Sequence, residues 1–551
     1  MKALVFLCAA ACVAYGGVIP VSLSLQPDNV VLTEQNGFTV VNLIPTADNL
    51  VTVTTTEPGA PLLPVLSGNV LLPPGAELEV IELARVEWQE LGSGFVLHPV
   101  QPMRPFSQWN SLGFVGPDAG VYTSDAPFPA EALTAVPAGN KTGFRVAGFL
   151  FCPFRYHPAS GRLLVATRVE LAVRYRENSA PVQTLLPGQV EFGADMVARL
   201  VVNPADVKRM APPVSVADAA DELDVAVVTS QSLKTALGDF NNYLGRKGYI
   251  AEIFTTDTIY ARYPGMDDAE KVRNFLKDMF ATRGLKYVIL AGDVQHVPYR
   301  TGYLPYAPYN VPADLYFADL DGTWNANGNS YYGEMTGDSV DLFADIYVGR
   351  LPLDDGTHAA TFLRKDTTYE LHPDTAYLDN VLLPFEDLWS TIDYYGRIVN
   401  KNIALALSAY SPWQVDSMLS MPPATVVAAI NSGRHMFHFA GHGAVSAFGS
   451  TFSTSNLGSL TNTTKPCIVN SMACDCGNFD QYDCLAEQFI TIANGGAVST
   501  CLNARYGWGA PPCMGPSENL CMEFYNNYLK GMTQGQAYGL AKDFYRNAAF
   551  S

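Results

Sequence analysis

From Asp224 onward, short apolar runs alternate with amphipathic stretches, and this alternation constrains the fold more than any other feature. DVAVVTS (Asp224–Ser230) is followed by a helical pattern from Leu233 to Lys247. YIAEIFT is followed by another from Asp267 to Phe280, and YVILAGD (Tyr287–Asp293) ends in a turn. DIYVGR (Asp345–Arg350), NVLLPFE (Asn380–Glu386), HMFHFAG (His435–Gly441) and CIVNSMA (Cys467–Ala473) continue the series. Apolar runs this short, bounded by turns, read as strands buried on both faces. The region is therefore expected to be α/β, with a mostly parallel sheet flanked by helices.

The preceding region reads differently. VLLPPGAELEVIELARVEW (Val70–Trp88) and RLLVATRVELAVRYR (Arg162–Arg176) are rich in β-branched residues, and the second alternates apolar with polar positions. That is the pattern of a half-buried antiparallel strand, so residues 17–205 are expected to be all-β. Between the two regions, DVKRMAPPVSVADAADELD (Asp206–Asp224) carries two prolines, little periodicity and the dibasic pair Lys208-Arg209. Residues 206–223 read as an exposed linker with a processing site, and residues 224–551 as the α/β domain.

The first sixteen residues read as a secretory signal: Lys2, an apolar stretch from Ala3 to Tyr15, then small residues at Gly16 and Gly17. The stretch is too short to span a bilayer, and no later one approaches ~20 apolar residues. Ala9-Ala10-Ala11 before Cys12 matches a lipoprotein signal poorly. Export to the cell surface or medium is expected. With 34 Lys+Arg against 53 Asp+Glu, the formal net charge is -19. Nucleic acid is a poor partner for such a chain, because phosphate contacts need clustered Lys and Arg.

Seven of the ten cysteines fall between Cys467 and Cys521. An exported chain permits disulfides, but Cys467, Cys474, Cys476 and Cys484 lack the paired knuckles of structural zinc sites. Two strands end in reactive residues. HMFHFAGHG sets His442 between Gly441 and Gly443, and CIVNSMACDCGNFD sets Cys474 where a strand breaks into a loop. Functional groups of open α/β sheets gather beyond the carboxyl ends of strands. A cysteine nucleophile needs a base, which a histidine on a neighbouring strand can supply. The amides of Gly443 and Cys474 are placed to form an oxyanion hole. His435 and His438 lie on the strand itself, where side chains alternate faces, and read as core residues.

At these residues the chain resembles the gingipain family of cysteine peptidases, caspase-like in fold. The resemblance rests on YVILAGDVQHVP, DLFADIYVGRLP, FEDLW, the Gly-His-Gly element, ACDCGNFD, CLAEQF and GGAVSTCLNARYGWG, in that order. The β-rich region resembles that family's pro-domain, most closely over PLLPVLSGNVLLPPGAELEV. The resemblance implies Cys474 as nucleophile, with Gly477 three and Phe479 five residues later, and His442 as base; Cys476 does not fit this register. It implies Glu386 as the acid that orients the histidine, with Asp387 competing for that place, and Trp508 as an aromatic near the substrate pocket. Family chains continue beyond the last helix into further modules, which leaves a truncated C-terminus open here.

Together these readings imply a secreted cysteine endopeptidase made as a zymogen, acting on proteins or peptides and held inactive by its own pro-domain. A sortase-like transpeptidase and a non-catalytic secretion or adhesion protein are the alternatives. The resemblance also implies structural Ca²⁺, held by Asp293, Asp341, Asp345 and a backbone carbonyl at Phe343. Clustered carboxylates repel one another, and Ca²⁺ takes six to eight oxygens, so a cation suits them. The loop DLDGTWNANGN (Asp319–Asn329) is also oxygen-rich but fits an EF-hand poorly.

Overall fold

The computed structural model describes residues 16–549 apart from 45, 46, 48, 112, 178–181, 216–221, 305–309, 390–393, 411 and 412. The expected signal segment up to residue 15 lies outside the described residues, as does part of the linker. Among the described residues, no helix is long and apolar enough to cross a membrane.

The N-terminal region is built from antiparallel sheets. In one, Arg162–Arg176 is flanked by Gly17–Ser24 and Phe154–His157 and pairs with the long strand Glu77–Gly92. The other runs Leu50–Thr54, Pro64–Leu71, Phe144–Phe151, Leu133–Lys141. The alternation in Arg162–Arg176 does its expected work: Leu163, Val165, Val169, Leu171 and Val173 are buried. The region is not purely β, however. Pro187–Leu200 is a helix with proline in its first turn, burying Gly193, Met196, Val197 and Leu200. A proline there loses no intrahelical hydrogen bond.

Beyond the linker, the expected parallel sheet exists but is divided in two. The first sheet has the order Ala251–Thr255, Val225–Thr229, Tyr287–Ala291, Tyr347–Leu351, and the second Gln414–Leu419, Asn380–Phe385, Met436–Phe439, Cys467–Ser471, Ala497–Leu502. Every pairing in both is parallel. All five residues of Val225–Thr229 are buried, as an apolar run covered on both faces should be. Helices start and stop where the chemistry dictates. Asp267 caps Asp268–Arg283 by accepting the Glu270 N–H at 2.9 Å, and Gly284 ends it at φ +77°.

The two regions share one core. A single apolar cluster reaches from Ile19 and Val173 to Trp389, Cys474 and Phe544. The last helix, Gln534–Ala549, lies on the N-terminal sheet, and Asn547 donates to Ser67 Oγ and the Gly68 carbonyl at 3.1 and 3.0 Å. At the start of the linker, Lys208 and Arg209 are exposed as expected, but Val207 and Met210 on either side are buried in the shared core.

Candidate active site

His442 and Cys474 stand in equivalent positions on adjacent strands. Met436–Phe439 and Cys467–Ser471 pair in parallel, with Phe439 opposite Ser471. Each reactive residue is the third past that last paired position. Parallel register therefore brings the two loops together at the carboxyl edge of the sheet. Gly443 shows how closely they meet: a Cβ there would lie 2.5 Å from the Cys474 carbonyl oxygen and 2.8 Å from Cys476 Sγ. Only glycine fits that approach.

The loop after Cys474 is held open by a special backbone. Asp475 adopts φ +59°, a left-handed conformation that aspartate tolerates better than most residues. Its N–H donates to the Arg505 carbonyl, and that of Gly477 to the Asn503 carbonyl, both at 2.9 Å. Arg505 forms a buried fork to Asp480, with N–O 2.7 Å, and donates to Asn478 at 3.0 Å. Such bidentate pairs fix geometry as well as adding energy.

The imidazole of His442 is half-buried, and its Nε2 lies 2.8 Å from the Leu388 carbonyl oxygen. A carbonyl can only accept, so this contact holds the proton on Nε2 and leaves the Nδ1 lone pair free. Glu386, expected to orient the imidazole, is engaged elsewhere. Its carboxylate accepts the Ser450 N–H and hydroxyl at 2.7 and 2.9 Å. It thereby braces the turn after Gly449 rather than the ring. Asp387 is exposed and accepts the Trp389 N–H at 3.3 Å. The oxygen that meets the ring in this structure is the Leu388 carbonyl, two residues past Glu386, a main-chain atom that no side-chain motif records.

Cys474 is 1% exposed. Its Sγ accepts the Gly507 N–H at 3.3 Å, and the backbone N–H of Ser107 also reaches it. Burial pushes the thiol up to about 11, with the charge of Asp475 adding to the rise and the two N–H groups opposing it. Cys476 is buried with its thiol directed at the carbonyls of Ala444 and Ala447, 3.2 and 3.3 Å away. Desolvation raises it well above its ordinary value. All eight cysteines among the described residues are free thiols. His438 is fully buried against Asn470 at 3.0 Å, and His435 stacks on Trp413, so both are core residues.

Ser107 belongs to the N-terminal region, and its presence here went unforeseen. Arg104–Pro105 pairs antiparallel with Trp508–Gly509. Phe106 N–H then donates to the Gly507 carbonyl at 2.9 Å, and its own carbonyl accepts Trp389 Nε1 at 3.2 Å. Trp508, expected near the substrate pocket, thus sits on the strand that the N-terminal segment covers.

The expected metal ligands separate. Asp293 lies past the carboxyl end of Tyr287–Ala291, whereas Asp341 and Asp345 precede the amino end of its parallel neighbour Tyr347–Leu351. Five paired positions at ~3.3 Å each put those edges ~16 Å apart. Asp293 instead faces Glu487 and Asp354. Phe343 is buried beneath the Arg546 guanidinium, 4.2 Å from its ring centre, and its N–H donates to Asp341. Asp345 clusters with Asp319 and Asp321 from the oxygen-rich loop, one carboxylate oxygen of each lying within 4.8 Å of the others. Asp341 is beside them: burial and then the charge of Asp321 push it up to about 7. Asp319 Oδ1 is buried without a hydrogen-bond partner and is 3.9 Å from Arg273. A hairpin tip from the N-terminal region closes the cluster. Asn140 N–H donates to Asp341 at 2.6 Å and its amide to Asp321 at 2.7 Å, while Thr142 N–H donates to Asp345 at 2.9 Å.

A sequence model of Peptidase family C25 matches residues 218–549, and a model of the C25 propeptide matches residues 44–186. Gingipain R2 of Porphyromonas gingivalis is 20% identical over 564 residues, covering 95% of this chain and 69% of its own. Gingipain R1 of Porphyromonas gingivalis is 21% identical over 565 residues, covering 95% and 51%. Among solved structures, the Arg-specific cysteine proteinase gingipain R aligns at TM-score 0.48 and 17% identity over 60% of this chain and 76% of that one. The complex of Porphyromonas gingivalis RgpB pro- and mature domains aligns at 0.47 and 16%, over 58% and 73%. The chain belongs to peptidase family C25, the gingipain family of cysteine peptidases, and carries that family's propeptide ahead of its catalytic region.

Proposed function

We propose that this chain is the zymogen of a secreted cysteine endopeptidase, and that its N-terminal region inhibits it by lying across the active site. The observation that carries this reading is the Arg104–Ser107 segment, strand-paired to Trp508–Gly509 with its backbone against the Cys474 thiol. A peptide substrate would take the same place once that segment leaves. Secretion is read from the leader-like first sixteen residues.

In the reaction, His442 Nδ1 takes the Cys474 proton while Nε2–H stays on the Leu388 carbonyl. The thiolate sulfur adds to the scissile carbonyl carbon, and the oxyanion faces the backbone N–H groups of Gly443 and Cys474. Collapse breaks the C–N bond, the imidazolium returns its proton to the leaving amine, and a thioester remains. Water, deprotonated by the same nitrogen, then releases the acid and restores the thiol.

The carboxylate cluster suits a hard cation. Its donors are all oxygens, and one buried oxygen of Asp319 lacks a partner. Asp319, Asp321 and Asp345 would hold Ca²⁺, with Asp341 beside them, and the ion would neutralise charges that otherwise repel. This is a structural role away from the thiol.

The decisive experiment is labelling with a peptidyl acyloxymethyl ketone after limited proteolysis of the full chain, followed by mapping of the modified residue. Labelling of Cys474, abolished in Cys474→Ala and strongly slowed in His442→Ala, is expected. No labelling of Cys474 under any activation condition would overturn the reading.

A further inference from the structure

The segment that covers the active site carries a side chain as well as a backbone. The atom bonded to the Phe106 carbonyl carbon is the Ser107 nitrogen, and the Ser107 N–H reaches Cys474 Sγ. Phe106 itself donates its N–H to the Gly507 carbonyl. The Phe106–Ser107 bond thus lies beside the nucleophile, with its carbonyl held on Trp389 Nε1 rather than in the oxyanion hole. The Phe106 side chain therefore occupies the pocket of the residue whose carbonyl is attacked.

That pocket is shaped for a flat ring. Phe106 is 1% exposed. A Cβ on Gly507 would lie 2.6 Å from Phe106 Cε2, and one on Gly509 would lie 2.7 Å from Cε1. The two glycines thus flank opposite edges of the ring. The Trp389 indole forms a further wall, its ring centre 5.9 Å away at 51°. The same Gly509 Cβ would meet the indole at 2.7 Å, so no side chain fits between them. Neither glycine needs its freedom for a positive φ; close approach to the ring is what excludes a larger residue. Two glycine backbones and an indole are an apolar frame. A guanidinium or ammonium enclosed between them would lose its hydration.

We infer that this peptidase cleaves after large aromatic or apolar residues, phenylalanine above all, and that Gly507, Gly509 and Trp389 set that specificity. The inference rests on the cysteine peptidase reading and names its substrate class. Arg104, two residues earlier, is strand-paired with Gly509, and its Nη2 donates to the Gly113 carbonyl at 3.4 Å.

The test uses the full chain after limited proteolysis, with peptidyl acyloxymethyl ketones that differ only in the residue next to the reactive carbon. The phenylalanine probe is expected to label Cys474 at least tenfold faster than arginine or lysine probes. A faster arginine or lysine probe overturns the specificity while leaving the peptidase reading intact; absence of labelling by every probe overturns the peptidase reading itself. Gly509→Val should lower the ratio of the phenylalanine-probe rate to the alanine-probe rate at least tenfold. Because that variant could misfold, Phe106→Ala in the unprocessed chain serves as the second measurement. Emptying the pocket should let the phenylalanine probe label the intact zymogen at least tenfold faster than wild type. Equal rates would overturn the assignment of Phe106 to the pocket.

Discussion

Lys141, at the tip of a hairpin in the N-terminal region, places its Nζ 2.7 Å from Asp543 of the last helix, with both side chains 1% exposed. The ammonium also donates to the Ala344 carbonyl at 2.8 Å. Burial, the largest single influence, lowers its pKa, but the charge and hydrogen bond of Asp543, with Tyr347 and Asp345 adding to them, together turn the net shift upward. The pair locks the propeptide to the catalytic region at a point remote from the thiol.

Lys141→Met should destabilise the full chain by ~3–5 kcal/mol, because it strands a buried carboxylate without its cation. Lys141→Met combined with Asp543→Leu should recover most of that loss. Urea unfolding of the two variants checks this; equal stability of Lys141→Met and wild type would remove the pair from the docking account.

Cys474 in the intact chain should resist alkylation. With its pKa near 11, only about one thiol in a thousand is ionised at pH 8. Since burial is the main cause, removal of the propeptide rehydrates the thiol and should move the midpoint of its pH–rate profile down by at least two units. Iodoacetamide rates at the Cys474 peptide between pH 6 and 11, before and after processing, give both curves. Superimposable profiles would contradict the covering role of Ser107.

Glu386→Gln should lower kcat/KM by less than about tenfold and leave the shape of the pH profile unchanged, since its carboxylate holds Ser450 rather than the imidazole. His442→Ala should cost ~10²–10⁴-fold. A loss of ~10⁴ in Glu386→Gln, the scale expected for a residue that fixes the tautomer, would return that role to Glu386.

Ca²⁺ should raise the melting temperature of the full chain, with a stabilisation of ~2.7 kcal/mol at one hundred times its Kd. Asp319→Asn should abolish the response, whereas Asp293→Asn should keep it, because Asp293 stands at the other edge of the sheet. Calorimetry with and without chelator distinguishes the three proteins. A response lost in Asp293→Asn and kept in Asp319→Asn would reverse the assignment of the site.

What the sequence by itself determined is local and periodic. Fully apolar runs such as Val225–Thr229 had to become buried parallel strands, and the alternation in Arg162–Arg176 had to become a half-buried antiparallel one. Turn chemistry also placed His442 and Cys474 just past strand ends. The helix Pro187–Leu200 has its own local signal, a proline in the first turn and buried residues Gly193, Met196, Val197 and Leu200 at helical spacing, but the strand-rich pattern on its N-terminal side outweighs it. Tertiary structure alone decided three things. Parallel register put Asp293 and Asp345 at opposite edges, although both flank adjacent strands. The carbonyl that meets His442 Nε2 belongs to Leu388, and backbone atoms leave no mark on a motif. Finally, Ser107 reached Cys474 from 367 positions away in the chain. Contacts across such separations depend on how two folded layers dock, and no local pattern around either residue encodes that docking.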